Sequence, residues 1–185
     1  MEDPEAASQP VEEIDRAHVT EENRENYRRL SSHIVKGLAI VSAIYRGRDY
    51  AAVVNAYLSV SYDPPTLLIS VFEDGRAAEA VEAADRWTLN IVNEQDDAIV
   101  DWLSSPGNPL LGLLKPVPHL RREPGAPVIV DGALAWFEVE TTAIHEAATH
   151  LLVVGEVRAM GDARREGHDA GPLLRYDGRY RRLAP

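Results

Sequence analysis

The sequence predicts a mainly β fold, in which short antiparallel strands close into a barrel with a few flanking helices. Three observations carry that reading. Apolar runs rich in Val, Ile and Ala recur along the 185 residues and have strand length. The links between them are mostly short and hold Gly, Asp or Pro, which favours antiparallel neighbours over crossover connections. No Gly-x-Gly-x-x-Gly follows a strand and no Gly-x-x-x-x-Gly-Lys-Ser/Thr occurs, so a doubly wound nucleotide fold has no support.

The elements follow in order. Residues 1–18 are acidic, with Pro4 and Pro10, and are expected to be a disordered tail ahead of one domain over 19–185. Thr20 precedes Glu21 and Glu22 and reads as the N-cap of a helix reaching about Ser32. Ile34–Tyr45 and Tyr50–Ser61 are extended and joined at Gly47-Arg48-Asp49, a hairpin pattern. Asp63-Pro64-Pro65 ends the second run, because proline lacks the ladder N–H. Thr66–Phe72 reads as a central strand, and Arg76–Asp85 is helical by propensity. A strand at Trp87–Val92 precedes a helix at Glu94–Leu103, which carries Ile99, Val100 and Leu103 on one side. Residues 104–127 hold many prolines and glycines and read as loop. Val128–Val130, Ala133–Ile144 and Leu151–Met160 are strands, with Asp131-Gly132 as a hairpin turn between the first two. Leu173–Tyr176 and Tyr180–Leu183 close the chain around Asp177-Gly178.

Composition narrows the function. Nineteen basic and 30 acidic residues give a net charge of −11, which argues against nucleic acid and against an anionic membrane as partners. Residues 1–26 hold nine of the acids against Arg16 and Arg24, so −7 sits at the N-terminus and −4 on the rest. There is no cysteine, which excludes disulfides, thiolate metal sites and cysteine nucleophiles. No apolar run approaches the ~20 residues of a membrane-spanning helix, and the acidic N-terminus lacks a secretory pattern, so a cytoplasmic location is expected. His145 and His150 are five apart and fall on opposite faces of a strand, so no metal pair is expected.

The most distinctive segment is Asn55-Ala-Tyr-Leu-Ser-Val-Ser-Tyr-Asp-Pro-Pro65. As one strand it places Asn55, Tyr57, Ser59 and Ser61 on one face, and Ala56, Leu58 and Val60 on the other. Such a polar row is either a half-exposed strand or a bed for a planar polar ligand. Arg76 opens a helix, where free N–H groups and a guanidinium favour an anion.

Ser59-Val-Ser-Tyr-Asp-Pro-Pro65 resembles the Ser-x-Ser-x-Asp-Pro-Pro signature of the flavin reductase-like, FMN-binding split-barrel family. The resemblance continues in order through Lys36–Ser42, Glu73-Asp-Gly-Arg-Ala77, Trp87–Val92, Asp131–Glu138, Thr149–Val157 and Pro172–Leu183. It implies a six-stranded antiparallel Greek-key split barrel and a homodimer. It further implies hydride transfer from NADH or NADPH to FMN or FAD, with reduced flavin passing to a separate monooxygenase. Two alternatives stay open on the residues: an FMN oxidoreductase with tightly held flavin acting on an organic substrate, and a non-catalytic flavin- or haem-binding dimer.

By position, the resemblance lays Asn55, Ala56, Tyr57, Ser59, Val60 and Ser61 along the flavin ring and ribityl chain. It sets Asp74, Gly75 and Arg76 at the phosphate, His150 near the nicotinamide, and Arg179 and Tyr180 at the flavin or nucleotide. No side chain is expected to act as a catalytic acid or base, since the cofactor supplies the chemistry. Val53, Ala56, Ala77, Ala78 and Thr149 replace residues that are polar, or Asp in the last case, in many family members.

Overall fold

The computed structural model describes residues 13–15, 18–109, 111–164 and 170–183. Apart from 13–15 and 18, the expected acidic tail lies outside the described residues. The elements are α1 (Glu21–Ser31), β1 (Lys36–Gly37), β2 (Ala39–Tyr45), β3 (Arg48–Val54), β4 (Tyr57–Tyr62), β5 (Pro65–Phe72), α2 (Arg76–Ala83), β6 (Arg86–Ile91), α3 (Asp97–Ser104), β7 (His119–Leu120), β8 (Ile129–Val130), β9 (Ala135–Ala147), β10 (His150–Gly161), β11 (Leu174–Tyr176) and β12 (Arg179–Arg181).

Local chemistry explains several boundaries. Thr20 caps α1 as expected: its hydroxyl accepts from the Asn23 N–H at 3.1 Å, and the Asn23 side chain accepts from the Thr20 N–H at 3.1 Å. Arg46 and Gly47 have φ of 50° and 70°, and Asp177 and Gly178 have 51° and 70°. Two successive left-handed residues are what a two-residue hairpin with native twist requires. The Asp63–Pro64 peptide is cis and joins β4 to β5.

The main sheet is antiparallel and runs β3-β2-β6-β9-β10-β5-β4. This corrects two expectations. The sheet has seven strands rather than six, and among the described residues no ladder joins its edges β3 and β4 to close a barrel. The extra strand arises because the run at 50–61 is not continuous. The chain leaves one edge at Val54, turns through Asn55-Ala56 and re-enters at the opposite edge as β4. The Asp131-Gly132 hairpin is also corrected, because β8 pairs with β7, not with β9. The buried Asn90 side chain accepts from the Val130 N–H at 2.9 Å and so draws the 128–130 backbone onto β6. A further sheet, β1-β11-β12, joins the two ends of the described domain.

Two cores result. The inner face of the sheet gathers Val41, Ile69, Trp87, Leu89, Val139 and Val153 with Ala78, Ala80 and Val81 of α2. On the outer face of β2 and β6, Leu38, Ile40 and Val92 pack under Val100 of α3 and under Leu114, Val117, Val128 and Val130. The stretch read as loop at 104–127 is therefore a cover for the sheet.

Candidate functional site

The expected site residues fall into three places. Asn55, Gly75 and His150 meet at one groove of about 230 Å³, bordered also by Val53, Ser70, Phe72 and Ala77. Tyr57, Ser59 and Ser61 border a different cavity, of about 520 Å³, at the far end of the inner face. Arg179 and Tyr180 lie on β12 in the separate sheet. The polar row that a single strand would have kept together is thus divided by the break at Asn55-Ala56.

The groove is built from strand ends and a helix start. β3 ends at Val54, and the Ala56 carbonyl accepts from the Ser70 N–H at 2.8 Å, which holds the turn against β5. The Asn55 side chain is half-buried and has no hydrogen-bond partner among the described residues. Gly75 is the N-cap of α2 and makes no side-chain cap, so the first N–H groups of that helix remain available to an anion. A Cβ at Gly75 would sit 2.9 Å from the Phe72 carbonyl oxygen, so the tight approach of this turn to β5 requires glycine. Asp74 and Arg76 are exposed on either side. Arg76 has no ion pair among the described residues, which leaves its guanidinium free to face a ligand.

His150 opens β10 opposite Phe72 of β5, and the two rings meet edge to face at 5.7 Å. Its Nδ1 lies 3.1 Å from the Thr149 hydroxyl. Phe72 and Ser70 were not found from sequence, because only the β5–β10 register brings them to His150. Both alanines at the helix start border the groove, and Ala78 also belongs to the core.

The remaining candidates have other surroundings. Val60 is an exposed residue at the register shift between Ser59 and Ser61. Burial pushes the Tyr57 hydroxyl up from its ordinary value. Tyr180 donates to Asp101 at 2.6 Å, and burial together with that carboxylate pushes it up to about 12. This contact ties β12 to α3.

A phosphate matches the uncapped start of α2 and the free Arg76 guanidinium, and the unpartnered Asn55 amide offers both a donor and an acceptor to a polar ring edge. The donor set fits a flavin nucleotide.

Comparisons with known proteins agree with this. Residues 31–184 match the family described as the flavin reductase like domain. The chain is 28% identical over 155 residues to the NADH-dependent flavin reductase StyB of Pseudomonas fluorescens, covering 83% of this chain and 86% of that one. It is 33% identical over 114 residues to the stachydrine N-demethylase reductase subunit Stc3 of Rhizobium meliloti, covering 61% of this chain and only 47% of that longer protein. Among solved structures, nitrilotriacetate monooxygenase component B from Mycobacterium thermoresistibile superposes with a TM-score of 0.80 at 22% identity, covering 88% of each chain. With the fold, the ordered motifs and a family match over most of its length in agreement, this chain belongs to the flavin reductase like domain family.

Proposed function

We propose that this chain transfers a hydride from NADH, or NADPH, to FMN or FAD and releases reduced flavin to a separate monooxygenase. One observation carries the reading: Asn55, the uncapped α2 start at Gly75 and His150 converge on a single groove. The start of α2 and Arg76 hold the flavin phosphate. Asn55 and the backbone of Asn55-Ala56 orient the ring. His150, steadied by Phe72 and Thr149, lines the side on which the nicotinamide approaches. Bound flavin supplies the chemistry, accepting hydride at N5, and the chain contributes position and charge. Reduced nicotinamide is drawn from the cytoplasm, where this reading places the protein.

The active form is a homodimer in this reading. Leu58, Leu68 and Val154 align across β4, β5 and β10 on the uncovered outer face, and Leu58 is 59% exposed. An apolar row of this kind favours a second copy.

The test is NADH oxidation by purified protein with added FMN or FAD, followed by flavin titration of Arg76→Ala. Turnover is expected, with flavin bound about tenfold more weakly by the variant, the size of a lost charge-assisted bond. Absence of both flavin binding and NADH oxidation overturns the reading. Tight flavin binding that survives dialysis without turnover points to the non-catalytic alternative.

A further inference from the structure

The inner face of the sheet has two ends, and they are filled differently. At one end, α2 delivers Ala78, Ala80 and Val81 onto Trp87, Val71 and Leu151. At the other, the strands leave a cavity of about 520 Å³ bounded by Leu67, Leu89, Ile91, Phe137, Val157 and Met160. A cavity of this size is in the range of small-molecule sites.

Its chemistry is specific in what it lacks. Among the described residues, no Asp, Glu, Lys, Arg or His lines it. Two of the hydroxyls on its β4–β5 wall are committed elsewhere. Ser61 accepts from the Asp63 N–H at 3.1 Å, and Thr66 donates to the Pro64 carbonyl at 2.9 Å. The Tyr57 hydroxyl presses against Gly37, where a Cβ would lie 2.2 Å from the oxygen. Ser59, Tyr57 and the exposed Tyr62 have hydroxyls without a hydrogen-bond partner among the described residues.

A phosphate or pyrophosphate buried here would lose its hydration with no cation to replace it. The two carbonyls and N–H of a flavin's polar ring would meet only neutral hydroxyls along one wall. A neutral, mostly apolar molecule loses nothing comparable and gains burial against six apolar side chains. We propose that this cavity is a second ligand site, distinct from the flavin groove, for a neutral and mostly apolar small molecule of phenol-like size and polarity.

The experiment is calorimetric titration of the full-length protein with 4-ethylphenol and with 4-ethylbenzoate, each with and without saturating FMN. Saturable binding of the phenol, one per chain and indifferent to FMN, is expected. The carboxylate should bind at least about tenfold more weakly, since its charge must be desolvated. Ile91→Trp fills the cavity and should weaken the phenol by about tenfold or more while leaving FMN affinity unchanged. Met160→Trp, at a rim position that is 64% exposed, is the second variant should Ile91→Trp not fold. The proposal is overturned by absence of saturable phenol binding in the oligomer, which would mean a partner copy fills the space. Equal binding of the carboxylate, displacement by FMN, or unchanged binding in a folded cavity variant would overturn it as well. Flavin binding and NADH oxidation are read separately, so a failed phenol titration leaves the reductase reading standing.

Discussion

The two halves of the main sheet present opposite outer faces. Over β2 and β6, the outer face is covered by α3 and the 111–130 segment, and even its polar groups are buried: Ser42, Thr88, Asn90 and Glu138 are at most 2% exposed. Nearly all of them are satisfied within the chain. Ser42 donates to the Val128 carbonyl at 2.8 Å, and Glu138 receives Arg86 and Arg122 at 3.1 and 2.9 Å. Over β4, β5 and β10 no described residue covers the outer face, and Leu58 and Phe72 are 59% and 50% exposed. A buried polar network is costly unless every member is bonded, so the covered half is committed to one arrangement. The bare half keeps its apolar side chains for something outside the chain.

The contrast can be broken most sharply at Asn90. Its amide donates to the carbonyls of Ile40 and Val128 at 3.1 and 3.3 Å and accepts from Val130. Asn90→Ala leaves the buried Val130 N–H without its partner, while the Val128 carbonyl keeps only Ser42, and urea denaturation should show a loss of about 3 kcal/mol. A loss under half that size would mean the cover is not held by this side chain.

On the bare half the expected effect is on association rather than folding. Leu58→Asp combined with Val154→Asp should weaken the proposed dimer by about 2 kcal/mol, roughly thirtyfold in dissociation constant, with little change in chain stability. Sedimentation equilibrium measures the first and a denaturant melt the second. Undiminished association would move the interface elsewhere.

Thr88 sharpens the comparison from inside the covered half. Its hydroxyl is the one buried side-chain polar atom without a partner among the described residues. Thr88→Val should therefore be neutral or stabilising by up to about 1 kcal/mol in the same melt.

The smallest effect is expected at Tyr180. In the folded chain this tyrosine holds its proton up to about 12, above its ordinary 10.0. Its stabilisation is therefore whole below the lower value and lost as the pH rises through the upper one. Tyr180→Phe should flatten the fall in stability between pH 10 and about 12 in paired urea melts. An unchanged slope would show that the bond to Asp101 is not maintained.

Much of the fold was legible where the signal is local. Thr20 with Glu21 and Glu22 announced α1, and Asp177-Gly178 announced the terminal hairpin. The prolines at 64 and 65 separated β4 from β5. The break at Asn55-Ala56 was not legible, because both flanks alternate as one strand does and neither residue forbids extension. The role of 104–127 was hidden for a related reason: Pro and Gly reveal a lack of regular structure but not what the segment lies on. Of the expected site, Asn55, Gly75 and His150 come together, whereas Tyr57, Ser59 and Ser61 turn to the apolar cavity and Tyr180 binds α3.

By itself the sequence determined the antiparallel β class, the caps and turns, the absence of thiol chemistry and the ordered motifs that point to the family. Those properties depend on residues a few positions apart, whose propensities and hydrogen bonds act before any tertiary contact. Tertiary structure alone decided that β3 and β4 become opposite edges, that His150 lies across from Phe72, and that one outer face is covered and the other bare. Each of these depends on register between strand residues up to 90 positions apart, where burial of whole faces outweighs any local preference.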